Sequence, residues 1–163
     1  MKLPSSTDAV HAGVDRRRAG RAVGLPVAQT ATYSFDDTAD LARYFSGQDP
    51  DADRQEYGRY GNTTAREVER RVAALDGAED AALFASGMAA ITSAIVTFVK
   101  AGDHVVVFSD AYRRTRQFVV ALLGRFGVEH AIVDASSIAG LEAAMTPKTR
   151  VVITESPTNP YLR

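Results

Sequence analysis

The stretch whose residues most clearly indicate a chemical role is Ala81–Ile91, which reads AALFASGMAAI. Its residue types predict a short buried strand over Ala81–Phe84, a tight turn at Ser86-Gly87, and a helix that starts at once. Such a helix start presents unpaired N–H groups and the positive end of its dipole, and a glycine lets an anion approach closely. The stretch therefore suits a phosphate. An ordinary strand-to-helix turn of an α/β protein fits the same residues equally well.

Three further clusters carry groups that a phosphorylated aromatic ligand needs. Tyr112 follows a predicted strand and offers a ring that can stack on a flat ligand. Glu155 and Asn159, in the segment ESPTNP, offer hydrogen bonds to polar substituents of that ligand. Tyr57 and Arg59 offer a phenol and a guanidinium to a phosphate.

Each of these clusters also has a purely structural explanation. Tyr112 fits a half-buried aromatic residue, and Arg59 fits a surface charge. The segment Glu155–Pro160 fits a turn in which two prolines end a strand. Only together do the clusters match the phosphate, ring and ring substituents that a pocket for pyridoxal phosphate (PLP) must hold.

The elements that position these residues alternate between helix and strand. Helices are predicted from apolar residues at helical spacing, and strands from β-branched runs such as that of His104–Phe108. The first helix carries a capping-box pattern, Thr64 followed by Glu67. The predicted order is helix Thr63–Leu75, strand Ala81–Phe84, helix Met88–Val99, strand His104–Phe108, helix Thr115–Phe126, strand Val128–Val133, helix Ile138–Met145 and strand Arg150–Thr154.

This alternation, with short links, predicts parallel βαβ units with right-handed crossovers. Ligands of such sheets bind beyond the carboxyl ends of the strands. We therefore expect Ser86-Gly87, Ser109–Tyr112 and Glu155–Asn159 to converge on one crevice.

Residues 1 to about 60 differ from the rest because they lack sustained periodicity. Within them, Val27–Phe35 is predicted to lie extended and Asp37–Phe45 to form a short helix. The segment is too poor in apolar residues to make its own core, so we expect it to lie along another subunit or another domain. The basic run Arg16–Arg18, with Arg21, is expected to be a solvated or partner-facing part of this arm.

Composition excludes several other classes of function. The 163 residues carry a net charge of −1, which gives no overall field for nucleic acid or an anionic membrane. There is no cysteine, so disulfides and thiolate metal sites are excluded, and the three histidines lack the spacing of a helical metal pair. No apolar run reaches the ~20 residues of a membrane span, and no signal core precedes the chain's regular part. We expect a cytoplasmic protein without a metal ion.

Taken in order, the motifs resemble those of the Cys/Met-metabolism family of PLP-dependent enzymes, the group of cystathionine γ-synthase, cystathionine lyases and methionine γ-lyase. The resemblance covers essentially the whole chain. It is carried by His11-Ala12-Gly13, Tyr57–Asn62 (YGRYGN), Ala85–Ile91 (ASGMAAI), Gly102–Val105 (GDHV), Asp110–Tyr112 (DAY) and Glu155–Pro160 (ESPTNP). It implies an α/β fold, part of the large domain of a fold-type I PLP enzyme, with a mostly parallel sheet and flanking helices. Residues 1–60 would then be an extended N-terminal arm for oligomerisation, and residues 61–163 the first, incomplete part of the PLP-binding domain.

The same resemblance implies roles for residues at the start of the helix predicted for Met88–Val99 and for the tyrosine that follows the strand predicted for His104–Phe108. Backbone groups at Gly87 and Met88, beside Ser86, would bind the cofactor phosphate. Tyr112 would stack on the pyridine ring and help in proton transfer, which makes it the candidate catalytic residue.

The remaining site residues also take their roles from the resemblance. Asn159 would lie near the ring hydroxyl and the substrate carboxylate, with Glu155 as a supporting polar group. Tyr57 and Arg59 would reach the phosphate bound by a neighbouring subunit. The family is usually a homotetramer of dimers that share active sites, so a homo-oligomer is expected, without nucleic-acid or membrane partners.

Two loops depart from the family pattern. The stacking tyrosine is followed by Arg113-Arg114-Thr115 instead of Gly-Gly-Thr, which places two bulky cations where they would narrow the pocket or contact an anionic substrate. Asn62-Thr63-Thr64 replaces Asn-Pro-Thr, a mild change because threonine caps a helix well. The substrate preference of the family is therefore not carried over.

PLP chemistry also needs a lysine for a Schiff base and an acid against the pyridine nitrogen. The resemblance implies that both follow the stretch matching Glu155–Asn159. None of the three lysines, Lys2, Lys100 and Lys148, follows a strand into the predicted crevice. We therefore expect one piece of a longer or split enzyme, completed by a C-terminal part or a second chain, and inactive alone.

The reaction that the resemblance implies is a transsulfuration-type one, in which the PLP enzyme eliminates or replaces a γ substituent of a sulfur amino acid or an O-acylhomoserine. The alternative is a non-catalytic remnant or subunit that binds a phosphate ligand or a full-length partner.

Overall fold

A computed structural model describes residues 5–14, 21–51, 53–159 and 162. Contacts between Cα atoms divide the chain into two compact units, Met1–Leu83 and Phe84–Arg163. The basic run Arg16–Arg18 and the lysine at position 2 lie outside the described residues. Among the residues described, no helix has the length and apolar character needed to cross a membrane.

The first unit contains the helices α1 (Ser6–His11), α2 (Thr38–Phe45) and α3 (Thr63–Asp76). Helix α2 confirms the prediction, and the Asp37 carboxylate caps it by accepting the Asp40 N–H at 2.8 Å. Helix α1 was not predicted. A capping box stabilises it, in which the Ser5 hydroxyl accepts the Asp8 N–H at 3.1 Å and the Asp8 carboxylate accepts the Ser5 N–H at 2.8 Å.

Helix α3 confirms the helix predicted for Thr63–Leu75, but the predicted capping box is wrong. The N-cap is Asn62, whose side-chain oxygen accepts the Thr64 N–H at 2.8 Å. The Thr64 hydroxyl instead accepts the Ala28 N–H at 2.8 Å. Glu67 is buried and pairs with Arg71 on the next turn of the helix. A contact that is distant in sequence has therefore displaced the local pattern.

The second unit is an α/β layer built on a three-stranded parallel sheet with the order β2-β1-β3. Its elements are α4 (Gly87–Phe98), β1 (His104–Phe108), α5 (Arg113–Gln117), β2 (Glu129–Val133), α6 (Ile138–Ala144) and β3 (Thr149–Ile153). Strand β1 has the predicted bounds, and the other elements agree with their predictions to within two residues at most ends. The parallel pairing of β1 with both neighbours confirms the βαβ interpretation.

Strand β1 lies at the centre of the core. The side chains of Val105, Val106 and Val107 are fully buried. Val105 and Val107 pack with Ile95 of α4 and with Val119, which follows α5 in the chain. Burying an aliphatic side chain of this kind stabilises a fold by about 1.5–3 kcal/mol. The centre of the sheet therefore packs directly on α4 and on the helical segment that follows α5.

The helix predicted for Thr115–Phe126 is helical throughout but irregular. Helix α5 continues into a π-helical turn, Phe118–Leu122, and a 3₁₀ turn, Leu123–Phe126. The Leu123 N–H bonds to the Phe118 carbonyl, five residues back. Leu122, in this wider turn, is 41% exposed.

The strand predicted for Ala81–Phe84 is wrong. The segment has no strand partner in the described part of the chain, and Leu83 is 53% exposed. Side-chain carboxylates take its amides instead, since Glu69 accepts the Leu83 N–H at 2.8 Å and Asp80 accepts the Ala81 N–H at 2.9 Å. A short apolar run carries no local information about a pairing partner, which is why the pattern misled.

Candidate functional site

The start of α4 has the free amides that the sequence predicted. Ser86 is the N-cap, and it satisfies the amides of Ala89 and Ala90 through its hydroxyl and its carbonyl, both at 3.1 Å. The amides of Gly87 and Met88 meet no acceptor among the described residues. A Cβ built on Gly87 would have nothing within 4 Å, so the space beside these amides is open. Two free donors and the helix dipole together suit an anion.

The turn between β1 and α5 holds Tyr112 by its backbone and leaves its ring open. The Tyr112 N–H donates to Glu155 Oε2 at 2.7 Å, and its carbonyl accepts the Arg116 N–H at 3.1 Å. The residue is 46% exposed. An exposed ring on a fixed backbone is suited to stacking on a flat ligand.

A third contact joins this turn to the start of α4. Thr115, in the first turn of α5, is only 2% exposed, and its hydroxyl lies 3.7 Å from the Met88 sulfur. The structure therefore brings together the start of α4, the turn after β1 and the loop after β3, as the topology predicted. Thr115 was not predicted from the sequence to help build the site, and its only signal was its place beside the two arginines after Tyr112.

The loop after β3 carries the predicted site residues Glu155 and Asn159. Glu155 reaches across to the Tyr112 amide, as described above. Asn159 is exposed in the same loop, while its neighbour Thr158 is buried and accepts the Leu162 N–H at 2.7 Å through its carbonyl. The buried threonine anchors the loop, and the asparagine amide is available at its surface.

Tyr57 and Arg59 belong to the first unit. Tyr57 pairs with Thr32 in an isolated antiparallel bridge, which is the only regular structure seen along Val27–Phe35. The Arg59 guanidinium lies 5.0 Å from the centroid of the Tyr57 ring and 5.9 Å from that of Tyr60. This cation–π cluster is exposed, so both predicted side chains can reach a ligand or another chain.

The structure describes two lysines, Lys100 and Lys148. Both lie at the amino ends of the strands, opposite the ends that carry Tyr112 and Glu155. Lys100 precedes β1, where the Asp103 carboxylate accepts its backbone N–H at 2.9 Å. Lys148 precedes β3, and its ammonium group lies 3.2 Å from Glu129 Oε1. Neither lysine is at the carboxyl ends of the strands, where Tyr112 and Glu155 meet.

Comparison with known proteins identifies the family. Residues 6–163 match the sequence model of the family described as Cys/Met metabolism PLP-dependent enzyme. The chain belongs to this family. It is 42% identical over 160 residues to cystathionine gamma-synthase 1, chloroplastic, of Arabidopsis thaliana, covering 94% of this chain and 27% of the relative. It is 41% identical over 162 residues to L-methionine gamma-lyase of Pseudomonas putida, covering 99% of this chain and 40% of the relative.

A solved structure supports the fold of this Cys/Met-metabolism chain. The putative O-acetylhomoserine (thiol)-lyase of Campylobacter jejuni, described with N'-pyridoxyl-lysine-5'-monophosphate, superposes with a TM-score of 0.83 at 27% identity. The match covers 96% of this chain and 38% of that structure. The α/β fold with a parallel sheet and flanking helices is thus that of fold-type I PLP enzymes, as predicted. The chain spans well under half the length of these relatives.

The residues present fit the PLP cofactor of the family. The free amides of Gly87 and Met88 suit its phosphate, and the exposed ring of Tyr112 suits its pyridine. The open space at Gly87 leaves room for the phosphate to approach.

Proposed function

We propose that these residues form one wall of the cofactor site of a PLP-dependent transsulfuration enzyme. Its reaction would be γ-elimination or γ-replacement on a sulfur amino acid or an O-acylhomoserine. The names of the two relatives above, a gamma-synthase and a gamma-lyase, support this class of reaction. The observation that carries the proposal is the contact of the α4 start, with its two free amides, and the turn that presents Tyr112.

Each group at this wall has a simple physical task. The amides of Gly87 and Met88 donate to the phosphate, while Ser86 keeps the helix start in shape. Tyr112 would cover one face of the ring and would hold or move a proton through its phenol. Asn159 hydrogen-bonds a ring substituent or the substrate carboxylate. When bound, PLP supplies the electron sink that makes bond cleavage next to the amino group feasible.

We also propose a shared site in an oligomer. The exposed Tyr57–Arg59 cluster has the phenol and guanidinium that a phosphate needs, and both side chains are accessible. In a homotetramer built from dimers, residues 1–60 would act as the arm that delivers this cluster to a neighbouring subunit. Residues 61–163 would form the first part of the PLP-binding domain.

The lysine that holds the cofactor covalently is proposed to come from outside these 163 residues. Lys100 and Lys148 lie at the amino ends of their strands, away from Tyr112. The solved relative from Campylobacter jejuni is described with a pyridoxyl-lysine group. We therefore expect the 163-residue chain to bind PLP reversibly and to need a second polypeptide, or a longer chain, for turnover.

The test uses the purified 163-residue chain with added PLP. We expect PLP to bind, no lysine to be labelled after borohydride reduction and mass spectrometry above the level seen with the unfolded chain, and no turnover of cystathionine or methionine. Labelling of any lysine of the chain above that level, or turnover by the chain alone, would contradict the assignment. A chain that binds a full-length homologue but not PLP would instead support a non-catalytic subunit.

A further inference from the structure

The turn that carries Tyr112 is fixed by partners from several directions. Ala111 is 3% exposed, and its carbonyl accepts the Arg116 side chain at 3.0 Å. The Tyr112 carbonyl accepts the Arg116 N–H, and this is the first hydrogen bond of α5. These contacts are local to the turn. They set its shape but do not tie it to any other strand end.

The bond from the Tyr112 N–H to Glu155 is different because it spans two strands. Glu155 follows β3, whereas Tyr112 follows β1, and these strands are hydrogen-bonded neighbours. The 2.7 Å separation between the amide nitrogen and Glu155 Oε2 is that of a charge-assisted hydrogen bond. Tyr112 is also the N-cap of α5, so its own amide lies outside the hydrogen-bond pattern of that helix and needs an acceptor from elsewhere.

We propose that Glu155 is a positioning residue for Tyr112. It acts on the ligand through the tyrosine, because its carboxylate fixes the backbone from which the exposed ring extends. The proposal deepens the proposed function and rests on it, since it assigns Tyr112 to the cofactor ring. A carboxylate is suited to this task because it accepts hydrogen bonds, and the backbone N–H that it holds is a donor.

The test compares Glu155→Ala with Glu155→Gln in the 163-residue chain. Hydrogen exchange of the Tyr112 amide, read by NMR, measures the bond without any cofactor. We expect Glu155→Ala to raise the exchange rate about tenfold or more, because a hydrogen bond to a charged group is lost. Glu155→Gln should restore most of the protection, since its side-chain oxygen still accepts. The buried amide of Val106 reports global stability and should not change. Glu142→Ala, on the exposed part of α6, is the matched control.

PLP affinity is measured on the same variants. We expect Glu155→Ala to weaken binding about tenfold and Glu155→Gln by about twofold or less. Unchanged exchange at Tyr112 in Glu155→Ala would overturn the positioning role. Equal loss of affinity in both variants, with Tyr112 still protected in Glu155→Gln, would also overturn it by making the carboxylate a direct ligand. If exchange responds as expected but no variant or wild-type chain binds PLP, the positioning bond stands and the proposed function fails.

Discussion

The hydroxyl of Thr115 lies 3.7 Å from the sulfur of Met88 and joins the first turn of α5 to the start of α4. Thr115 is almost fully buried, so the contact belongs to the interior of the second unit. The contact therefore couples the position of the free amides at the helix start to that of the turn that carries Tyr112. On the proposed function, it contributes to the distance between the phosphate and the stacked ring.

Thr115→Val tests that coupling. The valine keeps the shape of the side chain but removes the hydroxyl that points at Met88. We expect the free energy of unfolding to change by no more than about 1 kcal/mol, because sulfur is a weak acceptor, and PLP affinity to fall about threefold. Thr97→Val is the control, since the Thr97 hydroxyl donates to the Ser93 carbonyl within α4. Equal losses of affinity in the two variants would contradict the coupling.

Gly87→Ala separates ligand binding from folding. A methyl group at Gly87 meets no atom within 4 Å, and alanine favours a helix over glycine by up to about 1 kcal/mol, so stability should hold or rise. The methyl occupies the space where the phosphate would approach, and we expect affinity for PLP to fall about tenfold or more. Gly124→Ala, equally free of contacts within 4 Å, is the matched control and should bind normally. Undiminished binding by Gly87→Ala would count against the phosphate assignment.

Gly13 explains the His11-Ala12-Gly13 motif in structural terms. Its φ is +69°, and a Cβ there would lie 2.6 Å from the Arg70 carbonyl oxygen in α3. Gly47 has a φ of +70° but open space around it. We expect Gly47→Ala to lower the free energy of unfolding by about 1 kcal/mol from backbone strain, and Gly13→Ala by at least about 1–3 kcal/mol more from the clash. Chemical denaturation measures both, and equal effects would show that α1 does not pack against α3.

Asp40 gives the first unit a specific sensitivity to acid. This buried carboxylate accepts hydrogen bonds from Arg54, including one at 2.8 Å, and from the Asp36 N–H at 3.0 Å, which together hold the pKa of Asp40 well below its usual range. A depressed pKa contributes stability that is complete above the ordinary value of about 4 and is lost as the pH falls below it. We expect Asp40→Asn to be less stable at pH 7 and to lose less stability than the wild type below about pH 4.

Denaturation at a series of pH values measures this difference. Glu79→Gln is the control, because Glu79 is an exposed acid of the same unit. Parallel pH profiles of the wild type and Asp40→Asn would contradict the account, whereas Glu79→Gln should follow the wild type.

Much of the second unit was predictable because its signals are local. The β-branched run of β1 and the Ser-Gly start of α4 fixed their own structure, and the parallel alternation then placed Tyr112 and Glu155 at one edge. The failures of the predicted capping box and of the predicted strand Ala81–Phe84 depend on partners distant in sequence. The Thr64 hydroxyl accepts the Ala28 N–H instead of capping its own helix, and a short sequence pattern carries no information about that distant partner.

The candidate site shows the same division. The free amides of Gly87 and Met88 follow from helix geometry, so the sequence predicted them. The bond from Tyr112 to Glu155 and the contact of Thr115 with Met88 depend on how three loops pack, and their atoms could not be paired from spacing.

The most direct measurement is an NMR titration of the ¹⁵N-labelled 163-residue chain with PLP. We expect the amide signals of Gly87, Met88 and Tyr112 to shift together and saturably, while those of Lys100 and Lys148, at the opposite strand ends, stay unchanged. Inorganic phosphate should shift Gly87 and Met88 but leave Tyr112 nearly unaffected. Absence of any shift at Gly87 and Met88, or a response confined to the lysine end of the sheet, would contradict the claim that the start of α4 is where the phosphate binds.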